Sequence, residues 1–378
     1  MSNPCHRVRT TCRQWMEQEA PSWPVPKGAI NSNANCRRSV AIHKDRIPQL
    51  AKDILSKRKQ NSGNEWVEWD EENWHYSGER YNGSEIQKRE RVALYILALD
   101  AINFCFWPGQ PTCNTKSLEY EHLAIALKRL AETDDDSGNS GPSQDEPKGD
   151  QSVVKSAETY FFSPTNLASI TPEAMEAVLM PHLDGRYLDN IEKRSKLWNE
   201  LGTSLINDFQ GSATNLITAA DKSAPKLVNL IMQHFPGFRD VCTIDGQEIF
   251  FLKRAQIFVG DVNAALKLGL LEVSQLTCFA DYRVPQLLRE LNILEYSPEL
   301  ASIVDEKVEI TAGSYDEISI RAATVVAVQD LVEHLNKDAT DGDRFTAVAV
   351  DWYLWQVGEK MQQDGALKPF HRVRTHYY

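Results

Sequence analysis

The sequence has no excess of positive charge. Its 378 residues carry 41 Lys and Arg against 53 Asp and Glu, which gives a formal net charge of −12 at pH 7. A protein that grips duplex DNA or RNA needs a basic stripe to displace counterions, and no such stripe is present. We therefore expect no duplex nucleic-acid partner. A single nucleotide is compatible with this charge, because one phosphate needs only one or two cations.

Paired cysteines and long apolar runs are also lacking. The seven cysteines are odd in number and include no CxxC pair or metal-like spacing, which argues against a disulfide framework and a metal site. A membrane-spanning helix needs a run of about eighteen apolar residues, and the sequence has none of that length. The N-terminus also shows no apolar signal-peptide segment. We expect a cytoplasmic protein with no metal and no membrane partner, acting as a monomer.

Apolar residues are plentiful. They make up 42% of the chain, which is enough to bury a large core. Residues 1–37 contain four prolines and an Asn-rich run, which predict a flexible N-terminal arm; residues 38–378 are predicted to form one helical domain. Seven acidic side chains lie between 132 and 150 against one lysine. This composition predicts a disordered acidic insertion at 132–155 within the domain.

Helical periodicity dominates the domain and predicts a mainly α fold with minor short β pieces. Pro, Gly and Asn residues separate the periodic segments, as expected at helix ends. Short strands are predicted at 66–69, 241–250 and 308–311, the second with a turn at Asp245-Gly246. The predicted helices cover residues 45–58, 88–107, 119–131, 172–179, 186–208, 213–220, 224–234, 262–270, 283–292, 317–336 and 344–361.

Two cations follow an apolar segment near the middle of the chain. Lys253 and Arg254 come directly after three apolar residues, so one of the two is predicted to point inward on a helix. A buried cation needs an anion, which can be a ligand phosphate or a buried carboxylate. The alternative is a structural ion pair with an acidic residue.

Two acids lie in apolar surroundings. Asp281 stands between Phe279 and Tyr282, and Asp351 precedes Trp352 in an apolar segment. Two carboxylates in aromatic pockets suit hydrolysis at an anomeric carbon, where one stabilises or attacks the oxocarbenium-like ribose and the other binds or protonates the leaving group. A carboxylate beside a stacking aromatic would equally read the two donors of a guanine-like edge. Solvent-facing charges on two helices are the simpler alternative.

Three further polar residues are candidates for ligand contacts. Asp100 and Asn103 are three residues apart, so they share one helical face beside an aromatic cluster. That face can line a pocket, although both side chains could instead tie the helix end to backbone amides. His75 lies in an aromatic segment and can hold a ligand hydroxyl near neutral pH.

Seven segments in a single order carry a resemblance to a known family. The chain resembles the queuosine salvage proteins, which are queuosine 5′-phosphate N-glycosylases/hydrolases, from about Arg38 to Tyr378. The segments are DAINFCFW at 100–107, FPGFRDV at 235–241, KRAQI at 253–257, FADYRVPQ at 279–286, EISIRA at 317–322, DWYLW at 351–355 and PFHRVR at 369–374.

The resemblance implies a helical fold similar to the helix-hairpin-helix DNA glycosylases, with a closed pocket for one nucleotide and no cofactor. Members of the family release queuine, a substituted 7-deazaguanine, from its ribose 5′-phosphate for reuse in tRNA. This chain carries Gln356 where relatives often carry an acid. By position, the resemblance implies Asp281 and Asp351 as the catalytic acidic pair, Phe279 and Tyr282 as pocket walls, Lys253 as the phosphate ligand and His75 as a contact to the base or its cyclopentene hydroxyls. We expect Trp352 and Asn103 to contact the substrate as well.

Three other functions are considered. A DNA-repair glycosylase should show a Gly-rich hairpin and a basic face, which the charge of −12 disfavours. A helical adaptor would explain the acidic insertion but gives no reason for Asp281, Asp351 and Lys253 in apolar surroundings. A protein that binds queuine or its nucleotide without cleaving it fits the same residues.

Overall fold

The computed structural model describes residues 3–18, 39–60, 74–107, 116, 118–137, 160–340 and 343–378. Helices dominate these residues and strands are short, which confirms the predicted mainly α fold. In chain order the elements are α1 (Pro4–Gln18), β1 (Val40–Ile42), α2 (Ile47–Gln60), α3 (Glu85–Ile102), α4 (Tyr120–Ser137), α5 (Pro164–Ser169), α6 (Pro172–Leu179), α7 (Ile191–Phe209), α8 (Ala213–Ala219), α9 (Ala224–His234), β2 (Val241–Ile244), β3 (Gln247–Phe250), α10 (Lys253–Ala265), α11 (Arg283–Glu290), β4 (Leu294–Tyr296), α12 (Pro298–Asp305), β5 (Glu309–Ile310), α13 (Tyr315–Leu335), α14 (Ala347–Gln363) and β6 (Arg372–Val373).

The chain divides into two compact units. The first contains Met1–Glu68, Asp240–Gln256 and Glu272–Tyr378, and the second contains Trp69–Arg239 and Ile257–Leu271. The predicted boundary at residue 38 and the likeness to DNA glycosylases stay predictions. Among the described residues, no helix is both long and apolar enough to span a bilayer.

The first unit is built around α13. This helix begins at a Ser314 cap, whose hydroxyl accepts the Glu317 N–H, and it is buried along most of its length. It packs against α1, α2 and α14. In the described part of this unit, β1 pairs with β4 and β2 with β3 in antiparallel ladders, and β5 pairs with β6 in a parallel one. Asp245 and Gly246 both have positive φ in the β2–β3 turn, as a two-residue hairpin requires, so the predicted hairpin is confirmed.

The second unit is built around α3 and α7. Helix α3 begins at a capping box formed by Ser84 and Gln87, and its residues from Glu90 onward are buried. Helix α7 packs closely on α5, because a Cβ at Gly202 would overlap the carbonyl of Pro164. The buried Arg194 of α7 donates to the carbonyls of Ile102 and Phe104 and so fixes the end of α3.

The prediction of a flexible arm is wrong for residues 4–18, which form helix α1. Cys5, Val8, Cys12 and Trp15 are buried and recur at helical spacing, so the burial of one apolar face outweighs the polar character of this segment. Helix α1 ends at Gln18, and residues 19–37 of the predicted arm lie outside the described residues.

Two other local predictions need correction. The insertion was predicted from residue 132, but α4 continues to Ser137, and its Asp135 is buried 2.8 Å from Arg91. Residues 138–155 of the insertion, and the strand predicted at 66–69, lie outside the described residues. The helix predicted at 262–270 instead runs from Lys253 to Ala265, because both cations at its start are accommodated in buried surroundings.

Candidate active site

Asp281 lies in the loop that leads into α11. Its Oδ1 accepts the backbone N–H groups of Arg283 at 2.8 Å and Val284 at 3.1 Å. The side chain is therefore fixed at the N-terminus of α11, where peptide dipoles stabilise negative charge. Only 8% of Asp281 is exposed.

Asp351 lies in the first half of α14 and is equally enclosed. Its Oδ1 accepts the backbone N–H of Phe279 at 2.8 Å, which links α14 to the loop that contains Asp281. Burial raises the pKa of Asp351 well above its ordinary value, and the nearby Asp281 raises it further. The Phe279 hydrogen bond and the Lys253 ammonium act in the opposite direction.

The two acids thus form a pair with capacity for a ligand. In each carboxylate the backbone N–H donors reach Oδ1, so the side chain is oriented through one of its two oxygens. Two close carboxylates in apolar surroundings cannot both ionise readily, so one of them favours the protonated form. The raised pKa assigns that tendency to Asp351.

Lys253 supplies a cation to the same region. It is the first residue of α10, it is 4% exposed, and its backbone N–H donates to Asp240 Oδ2 at 3.1 Å. Its charge acts on Asp351, so the two groups lie within electrostatic range. The sequence predicted that one of Lys253 and Arg254 would point inward; both are buried.

The predicted aromatic contacts in this unit differ in burial. Phe279 and Tyr282 are buried at the loop, and the Tyr282 ring centroid lies 4.7 Å from that of Phe370. Trp352 is partly exposed and follows Asp351 on α14, so the two side chains leave the helix about 100° apart. Gln356 is exposed. The structure therefore groups Asp281, Asp351, Lys253, Phe279 and Tyr282, whereas their roles toward a ligand stay predictions.

His75 and Asn103 belong to the second unit. Both are buried, and the His75 Nε2 lies 2.9 Å from the hydroxyl of Tyr120. Burial, together with Asp261 and Asp100, raises the pKa of Tyr120 well above its ordinary value. The second unit thus has its own enclosed polar cluster, formed by His75, Tyr120 and the two acids Asp100 and Asp261.

Sequence reasoning missed two residues of these regions. Asp261 is a buried acid in the polar cluster of the second unit. It lies in a helix of mixed polarity, so the sequence pattern did not mark it as a buried residue. Arg321 is fully buried in α13 and binds Asp240. The signal available for Arg321 was a lone cation in the otherwise apolar and small-residue segment 318–328.

The described residues offer few metal-ligand combinations. No group of three or more His, Cys, Asp or Glu side chains is arranged there to hold a metal ion. Cys5, Cys12, Cys105, Cys242 and Cys278 are not part of a disulfide bond. The candidate site therefore consists of the two acids, Asp281 and Asp351, and the nearby Lys253.

The fold and this arrangement define a mainly helical protein with a buried carboxylate pair suited to glycosidic hydrolysis. Comparison with known proteins identifies one family. The family model described as queuosine salvage protein matches residues 151–378. The chain belongs to this family.

Curated relatives extend the match over most of the chain. The queuosine 5′-phosphate N-glycosylase/hydrolase of Dictyostelium discoideum is 36% identical over 90% of this chain and 94% of its own length. The protein of the same name from Sphaerobacter thermophilus is 38% identical over 77% of this chain and 82% of its own length. The Bos taurus protein is 33% identical over 76% and 82% respectively.

Proposed function

We propose that this protein hydrolyses the N-glycosidic bond of queuosine 5′-monophosphate and releases queuine. The observation that carries the proposal is the Asp281–Asp351 pair, in which burial and a neighbouring acid raise the pKa of Asp351 while Lys253 lies in electrostatic range. The names of the relatives supply the substrate.

The substrate explains why two carboxylates would be needed. A 7-deazapurine has carbon in place of N7, so protonation at N7 cannot improve the leaving group. More of the barrier must then be lowered at the sugar, by an anion beside the oxocarbenium-like C1′. The base still needs a hydrogen-bond or proton donor as it departs with the electron pair of the C1′–N bond.

The surroundings of the two acids support a division of roles. Asp281, held by two N–H groups at a helix N-terminus, suits the anion that stabilises C1′. Asp351, whose raised pKa favours a bound proton, suits the donor to the departing base. Water then adds its oxygen to C1′ and loses one proton, which restores the charge of the pair.

The remaining contacts follow the chemistry of the nucleotide. Lys253 is proposed to bind the 5′-phosphate, because a charge-assisted contact of this kind requires a cation in a dry site. Phe279, Tyr282 and Trp352 are proposed to contact the base or ribose through apolar surface. His75 and Asn103 are proposed to hold polar groups of the base.

The direct test is incubation of the purified protein with queuosine 5′-monophosphate, followed by detection of free queuine by mass spectrometry. GMP and AMP serve as matched substrates because they lack the cyclopentenediol substituent. They should be cleaved several powers of ten less efficiently, since buried polar groups would be left unpaired. Comparable cleavage of GMP would support a general nucleosidase instead, and binding without cleavage of any substrate would support a carrier.

We also propose that the enzyme works as a cytoplasmic monomer on a free nucleotide. The charge of −12 supports a free nucleotide rather than duplex nucleic acid as the partner, and described cysteines that form no disulfide support a reducing compartment. Size-exclusion chromatography with light scattering tests the monomer, and unchanged activity in the presence of excess duplex DNA tests the choice of partner.

A further inference from the structure

A buried ion pair connects the two segments of the first unit that carry Asp281 and Lys253. Arg321 of α13 is fully buried and binds Asp240 with both terminal nitrogens, at 2.9 Å to Oδ1 and 2.5 Å to Oδ2. Its third donor, Nε, binds the carbonyl of Ala280 at 3.0 Å. That carbonyl lies between Phe279 and Asp281 in the chain.

Asp240 reaches the second segment. Its Oδ2 also accepts the backbone N–H of Lys253 at 3.1 Å, so it caps the start of α10. Its backbone carbonyl accepts the N–H groups of Phe251 and Leu252, at 3.0 Å and 3.1 Å. Asp240 therefore holds the turn before α10 through three backbone N–H groups, and Arg321 in turn holds the Asp240 carboxylate.

The guanidinium of Arg321 has little freedom to move. It lies 4.0 Å from the centroid of the Phe251 ring and 4.3 Å from that of Tyr378, so aromatic faces cover it. Glu317, one helical turn earlier on α13, lies 3.6 Å from Nη1. Burial raises the pKa of Glu317, and the Arg321 guanidinium acts in the opposite direction.

We propose that Asp240 and Arg321 are positioning residues that set the placement of Asp281 relative to Lys253. One end of the pair fixes the backbone beside Asp281, and the other end fixes the first residue of α10. The phosphate and C1′ of one nucleotide are a fixed distance apart, so the cation and the acid must keep a matching separation. A rigid planar guanidinium with three directed contacts maintains such a separation better than apolar packing does.

Stability alone does not account for this arrangement. A buried ion pair replaced as a whole by uncharged residues is often neutral or stabilising, whereas loss of one partner is costly. The inference rests on the proposed function, because it specifies how the acids and the lysine of that site are held.

The decisive experiment removes both charges together. The variant Asp240→Asn/Arg321→Met leaves no charge on residue 240 and keeps an amide oxygen that can cap α10, but the Ala280 carbonyl loses its donor. Glu317 loses the nearby guanidinium and keeps the backbone N–H of Gly313 as a hydrogen-bond donor. We expect a melting temperature close to that of the wild type. We expect kcat with queuosine 5′-monophosphate to fall about ten- to a hundredfold while KM changes little, because Lys253 stays capped.

Two further variants keep the test falsifiable. Arg321→Lys retains the charge beside Asp240, but one ammonium cannot reproduce the bidentate contact and also reach Ala280; its kcat should fall as well. Arg289→Met/Asp305→Asn is the matched control, because it removes another bidentate Arg–Asp pair, at 2.7 Å and 2.9 Å, that does not contact the Asp281 loop or α10. Its kcat should be unchanged.

Wild-type kcat in the double variant and in Arg321→Lys would overturn the positioning role. An equal fall of kcat in the control pair would also overturn it, because the loss would then reflect general loosening of the unit. Wild-type protein that releases no queuine would overturn the proposed function, and the positioning inference with it. Release by the wild type and by every variant alike overturns the inference alone.

Discussion

Each unit buries a carboxyl group whose pKa is raised, but the two groups have different neighbours. In the second unit, Asp135 lies 2.8 Å from Arg91 and accepts the hydroxyl of Tyr76 at 3.0 Å. In the first unit, Asp351 lies near Asp281, a second acid, and its Oδ1 is held by a backbone N–H. Burial is the main cause of the raised pKa in both.

The comparison separates burial from chemical capacity. The guanidinium of Arg91 lies 3.8 Å from the centroid of Tyr160 and 4.2 Å from that of Tyr81, so the Asp135 cluster is closed by its own cation and rings. For Asp351, the neighbouring charged groups are a second acid, Asp281, and the Lys253 ammonium, and this environment favours a proton on one acid of the pair. An acid that is committed to a buried arginine serves the fold, whereas an acid paired with another acid can serve a reaction.

The largest effect is expected from Arg91→Met. Removal of one partner of a buried pair leaves Asp135 in dry surroundings and should lower the free energy of unfolding by about 3–5 kcal/mol. Chemical denaturation measures the loss. Arg129→Met is the matched control in the same unit, because its pair with Asp184 is exposed, and its midpoint should hardly change. Similar midpoints for both variants would show that the Arg91 cluster is not a stabilising element.

Asp281→Asn and Asp351→Asn should act on turnover instead. Loss of a charge stabiliser or proton donor should lower kcat at least about a hundredfold in each variant while the fold is retained. Steady-state rates with queuosine 5′-monophosphate, together with melting curves, provide the measurement. Asp330→Asn is the control, because Asp330 is a mostly buried acid of the same unit that is bound by Arg13 and Lys44. Near-normal rates for both Asp281→Asn and Asp351→Asn would contradict the paired-carboxylate mechanism.

Lys253→Ala should lower kcat/KM for the nucleotide far more than for the nucleoside. One charge-assisted contact contributes roughly 1.5–3 kcal/mol, so kcat/KM for queuosine 5′-monophosphate should fall about ten- to a hundredfold. The nucleoside queuosine never makes this contact, and its kcat/KM should change far less. An equal loss for both substrates would make Lys253 structural and would direct attention to Arg254, which is also buried.

The sequence allowed prediction of the features that have local signals. Helical periodicity gave the mainly α fold, and the Asp245-Gly246 pair gave the β2–β3 hairpin. Asp281, Asp351 and Lys253 were identified because each interrupts an apolar segment, and all three are buried. Charge in an apolar context is thus visible without a structure.

The features that depend on distant partners could not be predicted. Asp240 and Arg321 are 81 residues apart, so no spacing rule relates them. The sequence also gave no means to tell Asp135, bound by an arginine 44 residues away, from the other acids of the segment 132–150. Helix α1 was missed because the prolines that follow it suggested a loose segment, although Pro4 at the first position of a helix is favourable.

The smallest effect concerns the pH dependence of stability. Because the pKa of Asp351 is raised in the folded protein, its protonated form is favoured there, and the stability that this provides is present below the ordinary carboxyl pKa of about 4. It is lost as pH rises through the folded pKa, since the ionised group then lies buried beside Asp281, with only partial relief from Lys253. Asp351→Asn cannot ionise, so we expect its melting temperature to exceed that of the wild type at neutral pH and the difference to shrink as the pH is lowered. Melting curves between pH 4 and pH 8 measure this in the same variant that loses turnover. A variant that is less stable than the wild type at neutral pH would mean that the carboxylate of Asp351 is satisfied in the folded protein, and the contrast with Asp135 would then fail.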